Sequence, residues 1–346
     1  MSRAARSHPR NPLADFRVDS ANVSRVGADL QRPECILAER DGTLWTADAR
    51  GGVMRIRADG TQQLIVQAPD PHFDLQGARA AESLLTGTLP NGLAFDKNND
   101  ILIANFGTDR LERMTRSGQT SVMLDSIDGK PLGKVNFVLR DRRHRIWVTV
   151  STKVNPWSDA ICSGLADGYI VLIDQRGPRI VADGFYFTNE IRLDANEDWL
   201  YVAETTAKRV SRLRVQRDGS LTHREVYGPS SLGAGVIDGI AFDSFGNLWA
   251  TMVFADRLVA ITPEGDLLEL LNDGDPAATE RFEAAFSTGG PVPFDVTLAT
   301  GGTLCPWLAS VTFGGPDLTT VYLGSLRSTD VPCFSSPVAG LPMVHW

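Results

Sequence analysis

Six positions along the chain carry oxygen donors in one repeated frame: Glu34, Asn91, Asn136, Asn189, Asp238 and Ser310. Two carboxylates and three amides brought together would repel or stay half-satisfied unless something positive sat between them. A hard divalent cation meets that need, and Ca²⁺ accepts oxygen from carboxylates, amide carbonyls and water in a flexible shell. The set contains no His or Cys, which argues against zinc or copper. The alternative is a ring of polar plugs hydrogen-bonded to channel water. Asn91 stands apart, because Pro90-Asn91-Gly92 is also a turn signal; it reads as a substrate contact or as a turn.

Repetition is what brings these residues together. Each polar position opens a β-like run, and a large apolar residue follows in a second run. The pairs are Glu34 and Trp45, Asn91 and Leu102, Asn136 and Trp147, Asn189 and Leu200, Asp238 and Trp249, and Ser310 and Val321, each 11 residues apart. In the first unit Cys35 to Ala38 reads as a strand, Asp41-Gly42 as a hairpin turn and Leu44 to Ala47 as the second strand. Gly52 to Ile56 follows, then the turn Asp59-Gly60, then Gln62 to Gln67. The same punctuation returns at Ser117-Gly118, Arg176-Gly177, Asp218-Gly219 and Glu264-Gly265.

Six such antiparallel meanders around an axis predict an all-β, six-bladed β-propeller with four strands per blade. The sixth unit has only Pro337 to Leu341 left for a third strand. The run near Phe16 to Arg25 is expected to supply its outer strand and close the ring. Residues 1–14 read as a flexible segment and 15–346 as one propeller domain. Insertions near 69–89, 151–167 and 273–307 interrupt the rhythm, and strand direction puts all three on the face where the polar ring opens. Loops gathered on one face of a rigid scaffold are where binding normally lives.

Composition narrows the function classes. The net charge of -8 argues against nucleic acid or an anionic membrane as partner. No window approaches the length of a membrane span, and the arginine-rich start does not read as a secretory signal. A cytoplasmic location is therefore expected. Cys35, Cys162, Cys305 and Cys333 form no CxxC pair or zinc spacing and are expected reduced. No dinucleotide, phosphate-loop, serine-elbow or zinc-protease motif occurs. Of the five histidines only His72, on the first insertion, could approach the polar ring.

The series resembles the six-bladed propellers of the senescence marker protein 30/gluconolactonase/luciferin-regenerating enzyme family, with paraoxonase and diisopropyl fluorophosphatase more distant. Phe313-Gly-Gly-Pro-Asp-Leu-Thr-Thr-Val-Tyr-Leu323 is similar to its last-blade stretch. Ile237-Asp-Gly-Ile-Ala-Phe-Asp243, ending in Gly246-Asn-Leu-Trp249, is similar to its fifth-blade signature. The resemblance covers roughly residues 30 to 325. It implies metal-dependent opening of a lactone or related ester, with Ca²⁺, Zn²⁺, Mn²⁺ or Mg²⁺ serving in different members. Glu34, Asn189 and Asp238 would then bind the metal, Asn136 would be a further ligand or substrate contact, and Asp238 would also act as base.

The sequence also departs from that family. Where aldonolactonases usually read Arg-x-Asn-Asp-Gly, this chain has Lys134-Val-Asn136-Phe137-Val138, and Glu190 replaces a usual glycine. Those changes leave the ligand set whole but weaken the case for a polyhydroxylated sugar lactone. Phe137 would suit a less polar substrate or simply pack between blades. Lys134 would orient a substrate oxygen or lie solvated at the rim, and Trp157 would wall the pocket or pack its own loop. Two other functions fit the sequence: a non-enzymatic binding propeller, and a metal-dependent esterase or organophosphatase. Oligomeric state is not legible.

Overall fold

The computed structural model describes residues 10–67 and 87–346. Most of the first insertion, with His72, lies outside the described residues. Six four-stranded antiparallel sheets stand around one axis. Their innermost strands are Ile36–Ala38, Pro90–Phe95, Val135–Arg140, Thr188–Leu193, Val236–Phe242 and Leu308–Gly314. Each neighbours the next, and the last returns to the first. The predicted six-bladed propeller is what the chain forms. Among the described residues no helix is long and apolar enough to cross a membrane.

Ring closure follows the expected route with two corrections. The outer strand of the sixth sheet is Ser24–Val26, paired antiparallel with Val331–Ser335. It is shorter than the run from Phe16. Asp19 accepts a hydrogen bond from the Ala21 amide and caps a 3-10 turn at Ser20–Asn22, which takes the preceding residues out of the sheet. The third strand is Val331–Ser335 and not Pro337 to Leu341. Pro332 lacks an amide donor and disguises that strand in the sequence. The 337–341 segment instead folds beneath the fifth blade, with the Leu341 amide bound to the Phe242 carbonyl.

The 11-residue step holds in register for five blades, where Trp45, Leu102, Trp147, Trp249 and Val321 each face the residue three beyond the ring position. In the fourth blade Leu200 pairs with Leu193, four beyond Asn189. The hairpin there closes from Asp194 to Trp199, where the third closes from Asp141 to Arg145, so its turn holds one extra residue. Pro90-Asn91-Gly92 is not a turn but part of an inner strand. A Cβ on Gly92 would come within 2.6 Å of the Phe137 Cα. Glycine is needed there because the next blade's backbone passes so close.

Two insertions meet on one face. The Val292 amide binds the Ile161 carbonyl at 3.0 Å, and Trp157, Ile161, Phe282 and Val292 share one buried apolar cluster with Phe106, Phe187, Phe254 and Trp307. The third insertion begins with the helix Pro276–Phe286, which starts on an Asp275 cap with proline in its first turn, an arrangement that satisfies an otherwise orphaned amide.

The fourth blade carries a charged clasp near this face. The buried Glu204 carboxylate accepts hydrogen bonds from Ser211, Arg209 Nε, Arg224 Nη2 and the Tyr186 amide. Burial alone would push its carboxyl up; Ser211 and the two guanidiniums outweigh that and hold it below the ordinary value. A depressed carboxyl stabilises the fold above its unfolded pKa, about 4.3, and that contribution is lost as pH falls through the folded value. Glu204→Gln should therefore lower the urea midpoint at pH 7, with the deficit shrinking towards pH 3. A deficit of constant size across that range would show that the charge is not what matters.

Candidate active site

The polar ring sits where the ladder is irregular. Register shifts bracket Asn91, Asn136, Asn189 and Asp238 at the start of their inner strands. A bulge re-aims a side chain out of the strand's ordinary alternation. Here these side chains and that of Glu34 reach one pocket on the axis, with Arg32 and Thr205 beside them. Ser310 does not line it; its hydroxyl donates to the Glu34 carbonyl and pins the first inner strand to the sixth.

The hydrogen bonds sort these residues. Arg32 donates through Nη2 to Asn91 Oδ1 at 2.6 Å and through Nη1 to the Pro90 carbonyl at 3.0 Å. That turns the Asn91 amide group inwards, where Nδ2 donates to Glu34 Oε1 at 3.2 Å and to the Asn136 carbonyl at 3.0 Å. Asn189 Nδ2 donates to Thr205 Oγ1 at 3.1 Å, which leaves its Oδ1 without a partner. Glu34 Oε2 and Asn136 Oδ1 are likewise buried and unpaired. Unpartnered buried acceptors are rare enough to require a reason.

The electrostatics point the same way. Burial first, then Asp238, pushes the Glu34 carboxyl well above the carboxylate range, against the pull of Arg32. Burial and Glu190 push Asp238 up to about 8. Glu190, also buried, reaches about 7 despite Arg192 Nη2 at 2.7 Å. Three carboxylates therefore crowd the axis beside two guanidiniums. Among the described residues no group of three or more His, Cys, Asp or Glu gathers as a cage. A cation here would draw on amide oxygens as well as carboxylates, and the three orphaned acceptors are of the type a hard cation takes.

The other residues expected at the site divide. Trp157 lines the pocket. Lys134 and Phe137 do not: the Lys134 ammonium pairs with Asp109 at 3.0 Å. Phe137 is buried in the inner-strand core, with the Arg192 guanidinium 4.6 Å from its ring centre. Sequence reasoning missed Arg32, Thr205 and most of the apolar rim, including Phe106, Phe187, Phe254 and Trp307. A signal existed for some of them. Phe106, Thr205, Phe254 and Leu326 each follow directly on the second strand of their blades, a repeat position as regular as the ring itself.

Comparison with known proteins agrees with this fold. Residues 32–279 match the SMP-30/gluconolactonase/LRE-like region. A 6-deoxy-6-sulfogluconolactonase of Pseudomonas putida is 24% identical over 162 residues, 46% of this chain and 45% of the relative. The chain thus aligns with less than half of that relative's length. A gluconolactonase structure from Xanthomonas campestris superposes with a TM-score of 0.61 at 19% identity, over 90% of this chain and 88% of that one. A calcium-binding regucalcin from Agrobacterium tumefaciens gives 0.63 at 16% identity, over 91% and 94%. At such identities the structures speak for the fold alone. The family match spans most of the chain and every blade that carries an unpaired ring oxygen, and on it the chain belongs to the SMP-30/gluconolactonase/LRE-like family.

Proposed function

We propose that the protein is a metal-dependent hydrolase that opens a lactone to its hydroxy acid. The observation that carries this reading is the trio of buried, unpartnered oxygens, Glu34 Oε2, Asn136 Oδ1 and Asn189 Oδ1, on the floor of the pocket that also holds Asp238. Glu34, Asn136, Asn189 and Asp238 would hold a divalent cation, Ca²⁺ best by donor type. Such an ion, when bound, polarises a carbonyl and stabilises the oxyanion. The Asp238 carboxylate is the base in this reading, taking a proton from the attacking water as its oxygen bonds to the carbonyl carbon. The ring C–O bond then breaks, and the proton passes to the departing alkoxide. Arg32 fixes Asn91, Asn91 fixes Glu34, and Thr205 fixes Asn189, so the oxygens are positioned before substrate arrives.

Support comes from the family and from the lactonase names of its relatives. The test is hydrolysis of a lactone panel by the full chain with Ca²⁺, Mg²⁺, Mn²⁺ or Zn²⁺, and after chelation. Turnover that chelator abolishes and cation restores is expected. Calcium binding without turnover of any lactone would instead favour a binding propeller, and turnover of aryl or phosphate esters alone would favour an esterase or organophosphatase.

A further inference from the structure

We infer that the substrate of this site is a lactone bearing a bulky apolar, preferably aromatic, group beside its ester, and not a polyhydroxylated one; this rests on the hydrolase reading above. Among the polar side chains lining the pocket, Arg32, Asn91 and Asn189 have donors already committed. Arg32 is bound to Asn91 and Pro90, Asn91 Nδ2 to Glu34 and the Asn136 carbonyl, and Asn189 Nδ2 to Thr205. Lys134, which the sequence offered as an orienting cation, is held by Asp109.

The described wall is aromatic and aliphatic. Phe106 stands 5.8 Å from Trp157, ring centre to ring centre, and Trp157 stands 6.5 Å from Phe187, both edge to face. Phe254 meets Trp307 at 5.0 Å, also edge to face. Trp307 spends its indole N–H on Thr300, so its polar edge is not offered to a ligand. These rings come from three sources: the ends of second strands, the approaches to inner strands, and the middle insertion. All are buried and mutually packed, so the wall is built before anything binds. A ligand's hydroxyls placed against it would lose water and gain no partner. An aryl group would gain offset and edge contacts over most of its surface.

The experiment compares two six-membered lactones on the calcium-loaded full chain: δ-phenyl-δ-valerolactone and D-gluconolactone. The phenyl lactone is expected to lead in kcat/KM by about 100-fold, the scale on which a pocket separates substrates by unmatched polar groups. Trp157→Ala should shrink that ratio about tenfold, mainly through the KM of the phenyl substrate. A gluconolactone preference, equal rates, or a ratio indifferent to Trp157→Ala would each overturn the inference. If no lactone is hydrolysed, the hydrolase reading fails by itself. Calorimetric binding of the phenyl lactam against gluconolactam then decides the pocket's chemistry: tighter phenyl binding sustains an apolar ligand, while sugar preference, equal binding or no binding overturns it.

Discussion

Asp238→Asn is expected to cut kcat/KM on the preferred lactone by about 10³-fold, within the range for loss of a positioned general base. Asparagine keeps the shape and one oxygen of aspartate but has neither the charge nor the basicity. Glu34→Gln is the companion variant. It removes a charge from the same floor while leaving Asp238 in place, so it should weaken calcium binding, measured by calorimetry, and lower kcat/KM through lost cation occupancy. High calcium should restore Glu34→Gln in part and Asp238→Asn not at all. Both variants should be at least as stable as the parent without cation, because each neutralises a carboxylate that burial already disfavours; stability and activity would move in opposite directions, as at many functional sites. Full activity in both variants, with turnover indifferent to chelator, would remove Asp238 and Glu34 from the mechanism.

Much of this site could be read from the chain because a propeller converts period into position. Glu34 and Asp238 lie some two hundred residues apart, yet equal frames carry them to the same axis. What the period could not express was local. The bulges that aim Asn136 and Asn189 inwards leave no composition signal, since only the ladder shows a shifted register. Val331–Ser335 was hidden by Pro332, which weakens a strand pattern without preventing an outer-lying strand. The extra turn residue at Asp194 to Trp199 changed register while preserving the spacing of Asn189 and Leu200.

Hydrogen bonding decided the roles of similar residues. Arg32 and Lys134 both lie two positions before a ring residue, but Arg32 faces Asn91 while Lys134 finds Asp109 across its blade boundary. A second repeat also went unread. Glu39, Asp141 and Asp243 stand five residues after their ring positions, and each accepts the indole N–H of the tryptophan in the following strand. These acids hold the inner hairpins shut and carry no chemistry. Their regularity shows that a repeated acid is not by itself a site: what separates Asp243 from Asp238 is a full set of donors around the one and unpaired oxygens beside the other.

Asp256→Ala is expected to cost about 3–4 kcal/mol of stability, the largest loss foreseen for a residue outside the pocket. Its backbone is left-handed, with φ of 42°, a conformation that aspartate tolerates better than most residues. Its buried carboxylate receives the Gly302 and Trp307 amides on Oδ2 at 2.6 and 3.1 Å, and the Leu308 amide on Oδ1 at 2.9 Å. Truncation leaves three N–H groups without an acceptor, those of Trp307 and Leu308 buried and that of Gly302 half-buried, and each buried unsatisfied donor costs about 1–3 kcal/mol before local relaxation. Asp273 holds the Leu304 and Cys305 amides nearby, so the insertion should loosen and not detach. That loosening would act on function through Trp307, which leaves the wall while Glu34 and Asp238 stay in place. KM for an apolar lactone should therefore rise about tenfold while kcat falls little, since the lost interaction is one of uniform binding. Asp256→Asn, which keeps acceptors in place but lacks the charge, should fall between the two in urea midpoint. A midpoint for Asp256→Ala equal to the parent's would mean that water satisfies those amides, and that the third insertion is held instead by apolar contacts such as that of its Phe282 with Phe254.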